Sequence, residues 1–310
     1  MARILLRSPQ YKTASTSGVA SAKLTISIDS VLRYTIIKNA INNRVVFEIS
    51  ELCRDYIEHS FTQTNPAETI SINTTLTEYN AANGGGSVIN TDINADTGFD
   101  GYGLFTGSVN PTIPSSQILQ SNTDIYLPPD TASYIPYNFL GGKYTIASTV
   151  ADGTVIGVGL SPIIYFTVHR VCDPKFGSSK ITFLNRFGAL QEMYFFHKST
   201  EDITTTSESY KRNIFDYANT NYSNTDHQMQ KFNTNATKKT TLNTPFVTEG
   251  YNEAIEELML SEYVWLTKGS VTHPVTPSTK SLRFKTSVND KLVQYTIQFD
   301  HTSDVINNVR

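Results

Sequence analysis

Four acidic and amide side chains fall at short, regular intervals in the segment "DINADTGFD": Asp92, Asn94, Asp96 and Asp100. Their spacing matches positions 1, 3, 5 and 9 of a calcium-binding loop, whose oxygen ligands converge on a hard cation. Such a loop also needs glycine at position 6 for its sharp turn and a bidentate glutamate at position 12. Thr97 and Gly103 stand there instead. The segment therefore reads first as an Asx- and Gly-rich loop, with a weak calcium site as the alternative.

His169, Cys172 and Asp173 form a second group. A structural zinc site takes four ligands in paired spacings, and this is only half of one. The other histidines (His59, His197, His227, His273 and His301) are isolated in sequence. Cys172 follows a strand, with no helix start or glycine-rich turn beside it to lower a thiol pKa, so it reads as inert. Glu253, Glu256, Glu257 and Glu262 belong to the solvent side of a helix, where charge is expected. "GGKYTIAS" lacks the upstream glycine spacing of a phosphate loop, and no nucleophile-elbow or dinucleotide fingerprint occurs. The reading is of a chain with no catalytic residues, no firm metal site and no cofactor, hence not an enzyme. Tyr210, Phe215, Tyr217, Tyr222 and Phe232 are scattered through an Asn/Thr tract. They could stack on sugars, on a protein neighbour or inside an edge strand.

The elements that must carry these residues are strands. The chain has 310 residues, 39% hydrophobic and only 17% charged, and is rich in Thr, Ser and Asn. That length suits about two domains. The net charge of −3 gives no basic field, so duplex nucleic acid is not an expected partner. No apolar run reaches the roughly 18 residues a membrane helix needs. In "MARILLRSPQYK", Arg3 and Arg7 bracket only Ile4, Leu5 and Leu6, too short for a secretory core, so synthesis in a cytoplasm is expected. Cys53 and Cys172 then read as two free buried thiols.

"LTISI" alternates apolar and hydroxyl residues, the mark of a half-buried strand. Asp29-Ser30 and Asn42-Asn43 are turn signals, giving a three-stranded meander to Val45–Ile49. "SELCRDYIEHSF" predicts a short helix, about 50–59, capped by Ser50, with Leu52, Cys53, Tyr56 and Ile57 on its apolar face. Residues 79–123 lose periodicity and read as a Gly/Asn-rich loop insertion that a neighbouring subunit must order. Strands return over 124–178. "TEGYNEAIEELMLSEYVWL" predicts a helix over about 250–260, capped by Thr248 or Asn252, and Val293, Tyr295, Ile297 and Phe299 alternate in the best strand of all.

The expected fold is all-β dominated, with two β-sandwich-like domains, each with a short packed helix, and the long loop insertion between strands of the first. Residues 1–78 and 124–178 form one domain and 179–310 the other, with a further polar loop over 199–243. In "ITFLNRFGALQEMYFF", Asn185 through Gly188 read as a hairpin turn: Asn bonds its own backbone and Gly188 takes a positive φ. Arg186 is expected at the tip, facing a partner's carboxylate or carbonyls, with Phe187 tucked beside it.

Several phrases together resemble virion structural proteins of tailed bacteriophages, notably marine and Bacteroidetes-infecting ones. They are "ASAKLTISIDSVLRYTIIKN", "FEISELCRDYI", "ITFLNRFGALQEMYFF", "LNTPFVTEGYNEAIEELMLSEYVWL" and "QYTIQFDHTSDVINNVR". The resemblance covers roughly 20–60 and 165–310 and leaves the Gly/Asn region unaccounted for. It implies a non-enzymatic subunit of a tail, baseplate or neck, assembled in host cytoplasm. Its partners would be other virion subunits in a ring-type homo-oligomer or adaptor, with no nucleic acid or membrane. Arg186, Phe187, Tyr217 and Tyr222 are the expected partner contacts. The alternative is a carbohydrate-binding host-receptor or adhesin module.

Overall fold

The computed structural model describes residues 1–61, 66–103, 110–113, 117–137, 142–159, 162–170, 175–283, 293–303 and 305–306. Strands dominate them, as the composition requires. The first part of the chain runs through β1 (Ala2–Leu5), β2 (Tyr11–Ala14), β3 (Ser21–Ile28), β4 (Val31–Asn39) and β5 (Val45–Glu48). Helix α1 (Ser50–Arg54), β6 (Thr69–Tyr79) and β7 (Val88–Phe99) follow. Five strands make one sheet in the order β1-β7-β6-β3-β4, and β2 pairs with β5. Ala22, Leu24, Ile26 and Ile28 of β3 are buried, alternating with half-buried Lys23, Thr25 and Ser27. Asp29 and Ser30 both take positive φ, the backbone of a two-residue hairpin turn between β3 and β4. The inner face meets Val45, Phe47, Ile49 and Cys53 in one core. Ser50 does not cap α1: its hydroxyl donates back to Glu48.

Strand β7 corrects the expected loop over 79–123. It runs antiparallel to β6 along its whole length and takes β1 as a parallel neighbour on its other side. Asn, Asp and Gly are poor strand formers, but here one backbone edge is paired with β6 throughout and the other with β1 over Asp96–Phe99, and Asp96 and Gly98 each have a local reason. Lys12 neutralises Asp96 at 2.8 Å. At Gly98 a Cβ would lie 2.7 Å from Leu6 and 2.9 Å from Ile72, so only glycine lets the two flanking side chains close over the strand.

Next come β8 (Asp124–Leu127), β9 (Ser133–Pro136), β10 (Lys143–Ile146), β11 (Thr154–Val158) and β12 (Ile164–Arg170). They form a sheet β11-β12-β8 and a pair β10-β9. These strands were expected to complete the first domain. Ile125, Leu127, Phe166 and Val168 instead share a core with Ile181, Phe183, Leu258 and Phe299. The reason is apolar complementarity: the inner face of the N-terminal sheet is already filled by its own strands and α1.

The remaining elements are β13 (Ser179–Leu184), β14 (Leu190–Phe195), β15 (Thr200–Lys211), β16 (Phe215–Asp216), β17 (Asn221–Tyr222) and β18 (Met229–Asn243). After a 3-10 turn at Glu249–Tyr251 come α2 (Asn252–Leu260), β19 (Val264–Lys268), β20 (Val271–Pro277), β21 (Thr296–His301) and β22 (Val305–Ile306). The large sheet has the order β14-β13-β19-β20-β21-β18-β15, with β22 also on β18. Val293, Tyr295, Ile297 and Phe299 are all buried. Neither Thr248 nor Asn252 caps α2; the Thr248 hydroxyl donates to Asp124 at 2.6 Å. Residues 199–243 are a second correction, because most of this polar tract is the hairpin β15–β18.

Candidate functional site

The turn at Asn185–Gly188 forms as its residues dictate. Asn185 Oδ1 accepts from the amides of Phe187 and Ala189, both at 3.1 Å, and Gly188 has φ +75°. Its setting differs from a free hairpin tip. A Cβ on Gly188 would lie 2.8 Å from the backbone of Asp100, and one on Gly101 would lie 2.5 Å from the Arg186 carbonyl. Tyr102 donates its amide to that carbonyl at 2.7 Å. Phe187 is buried with Leu5, Phe99, Ile113 and Leu119. Arg186 lies over the Phe187 ring at 4.7 Å and pairs with Glu253 and, at 3.4 Å, with Glu257. Arg186 and Phe187, expected to face a partner, are thus engaged within the chain. Glu257, expected on the solvent side of its helix, is buried. Burial pushes its carboxyl above the usual range, and Ser121 and Arg186 oppose the shift only in part.

Beside this turn lies the densest charge cluster of the described residues. Asp100, 3% exposed, takes two hydrogen bonds from Arg7 at 2.8 Å, one from Arg54 at 2.9 Å and one contact from His59 Nε2 at 2.9 Å. Glu262 bridges both arginines from outside, at 2.9 and 2.6 Å, and Tyr263 lies against the His59 ring at 4.8 Å. Burial alone would raise the Asp100 carboxyl. His59, Arg7 and Arg54 outweigh it and hold the group well below the usual carboxylate range. A charge so fully paired has no lone pair left for a proton or a metal. The cluster fastens the N-terminal sheet to the α2–β19 connection. No local pattern in the sequence points to it, since its members come from four separate segments.

The calcium pattern is overturned by the same geometry. Asp92, Asn94 and Asp96 lie along an extended strand, where alternate residues are about 6.6 Å apart. A straight line of three side chains does not wrap a cation as a 12-residue loop does, and Asn94 donates its amide to Asp92 at 2.9 Å. Asp96 and Asp100 are already paired. Among the described residues no group of three or more His, Cys, Asp or Glu could hold a metal.

His169 Nε2 contacts Asp124 at 2.9 Å, and its ring stacks on Tyr126 at 4.7 Å. That is the base-and-orienter half of a hydrolytic arrangement, but among the described residues no hydroxyl or thiol hydrogen-bonds the ring. Cys172 and Asp173 lie outside the described residues. Cys53 is a free, buried thiol whose pKa burial pushes up to about 12.

The remaining expected contacts, Tyr217 and Tyr222, sit at the end of the β15–β18 hairpin. Every residue of β15 is exposed, and so is the tip, where β16 pairs with β17. A strand exposed on both faces stands clear of the core as a ribbon, an arm on the large sheet. Tyr217 is 78% and Tyr222 64% exposed. Tyr210 meets Phe232 edge-on at 5.7 Å, and Phe215 meets Tyr217 at 5.1 Å. Asn213 and Asp216 shape the tip: each accepts a backbone amide two residues on, and Asn219 donates to Asp216 at 2.6 Å. The aromatic faces of Tyr217 and Tyr222 are left exposed at the end of the ribbon.

Set beside known protein families, curated proteins and solved structures, the chain matches none. No described helix is long and apolar enough to cross a membrane.

Proposed function

We propose that this protein is a non-enzymatic structural subunit of a tailed-phage particle, in the tail, baseplate or neck, acting through contacts with neighbouring subunits. The observation that carries the reading is the β15–β18 arm. A 12-residue strand exposed along its whole length, paired with a 15-residue one whose Met229–Phe232 end is exposed too, spends chain and entropy on a surface that the core does not use. Such an outlay makes sense where a neighbour covers it. The phrase-level resemblance to virion proteins points to the same use. The test is immunogold labelling of intact particles with antibody to this chain. Label at one fixed position on a tail or neck supports the proposal; particles that never carry label remove it.

The tip favours one second reading, glycan binding. Tyr217 and Tyr222 stand beside Asn219 and Asn221, the pairing of flat ring and polar amide that sugar recognition uses. Binding of the isolated protein to a glycan array, lost in Tyr217→Ala, would favour it over subunit contact.

A further inference from the structure

Strand β15 ends the large sheet and presents its outer edge to solvent along its whole length. Such an edge templates strand addition, and proteins usually blunt it with bulges or a covering loop. The other long free edge, β4, is blunted in both ways. Its register slips between Ile26 and Ser27, so the extra residue, Arg33, lies on β4 itself. Asn83 covers the far end, donating its amide to Asn39 at 2.7 Å. On β15 the single irregularity falls on the inner side. Thr206 faces Asn235 and Glu208 faces Phe232, so the surplus residue belongs to β18, where Asn233 takes φ +54°. The outer edge of β15 stays regular and open.

From this we infer that the edge is covered by a second copy of the same strand, antiparallel about a two-fold axis at Thr206. The axis must stand perpendicular to the sheet, which keeps each residue and its copy on the same face. A two-fold pairing therefore centres on one residue opposite itself. Charge selects which. Centred on Thr205, Asp202 would face the copy's Glu208; centred on Glu208, that carboxylate would face itself. Centred on Thr204, no opposite charges come together; centred on Ser207, Asp202 faces the copy's Arg212, but that arginine lies one residue beyond β15 and already has Asp226 at 4.0 Å. Centred on Thr206, Glu201 faces the copy's Lys211 on both sides of the axis, and no like charges stand opposite. Glu201 already holds Lys268, through one oxygen at 2.5 Å, leaving acceptor capacity for a second cation. Among the described residues Lys211 has no ion pair of its own. Between these ends the facing residues are mostly Thr and Ser, whose cross-strand pairs suit a solvated sheet. Ile203, 62% exposed, and Tyr210 gain cover from the added strand.

The test uses the full chain with Cys172→Ser as background, since Cys53 is buried. Light scattering at tens of micromolar is expected to give the mass of a dimer or an even-numbered assembly. Thr206→Cys is expected to oxidise to a disulfide-linked dimer, and Thr204→Cys, whose copies are four residues out of register, is not. Lys211→Glu turns two attractions into two repulsions and is expected to weaken the dimer roughly tenfold or more. A monomer at every concentration overturns the inference, as does linkage through residue 204 in place of 206, or a dimer indifferent to Lys211→Glu. The inference stands apart from the particle reading. A dimer without particle label supports this one and refutes that one, and label without a dimer does the reverse.

Discussion

Asp100 shows what a single buried charge does here. Removing one partner of such a group leaves the others uncompensated, which costs about 3–5 kcal/mol. Asp100→Asn keeps the shape but leaves the two guanidinium groups only the exposed Glu262 as counter-charge, so urea denaturation should show a loss approaching that order. The pH dependence follows from the direction of the shift. The folded pKa lies below the ordinary 3.8, so the stabilisation is complete above that value and drains away as pH falls from about 4 towards the folded pKa. The wild type should therefore lose stability through that window more steeply than Asp100→Asn, measured by thermal unfolding at pH 3, 4 and 7. Residue-scale reading of the sequence reached Asp100 for the wrong reason: it counted oxygens at calcium spacing. The partners that decide its chemistry, Arg7, Arg54 and His59, are brought to it only by the fold.

Elements were legible where one face is buried and the other is not. Leu24-Thr25-Ile26-Ser27-Ile28 and Val293 through Phe299 alternate because one side meets a core, and Asn185–Gly188 reads as a turn from its own chemistry. Strands β7 and β15 escaped notice for opposite reasons. In β7 the residues are chosen for close backbone approach and for pairing with Lys12, so Asp, Asn and Gly replace the usual β-branched set. In β15 both faces are wet, so Thr, Ser and Glu fill both parities and no apolar rhythm appears. The two helices were placed correctly, though shorter than expected and without their side-chain caps. The arm's independence from the core is itself testable. Lys211 pairs with Met229, so residues 212–228 can be replaced by Asn-Gly, a two-residue hairpin turn. Calorimetry should find the melting temperature within about 2 °C of wild type, because surface changes away from packed features stay within roughly 0.5 kcal/mol.

At the scale of the molecule, the same facts invert what a deletion does. Were residues 84–103 a loop, removing them would leave a folded monomer. They hold β7, which links β1 to β6, and Asp100, which ties in Arg7, Arg54 and His59. Deleting Gly84–Gly103 should abolish cooperative unfolding and the dispersed amide spectrum of the native protein. Replacing the arm tip should spare both.

The fastening around Asp100 also sets a clock on biosynthesis. Arg7, Arg54 and Asp100 leave the ribosome early, but Glu262 and the turn at Asn185–Gly188 that close over them come much later. At 5–20 residues per second, about 8–30 s separate the making of Asp100 from that of Glu262. During the first half of that interval the N-terminal sheet has its own core but lacks the cover that Phe187 gives to Leu5 and Phe99. A nascent chain paused between residues 100 and 185 would carry that bare apolar patch beside two clustered arginines. It is the stage of the protein's life at which a chaperone has most to hold.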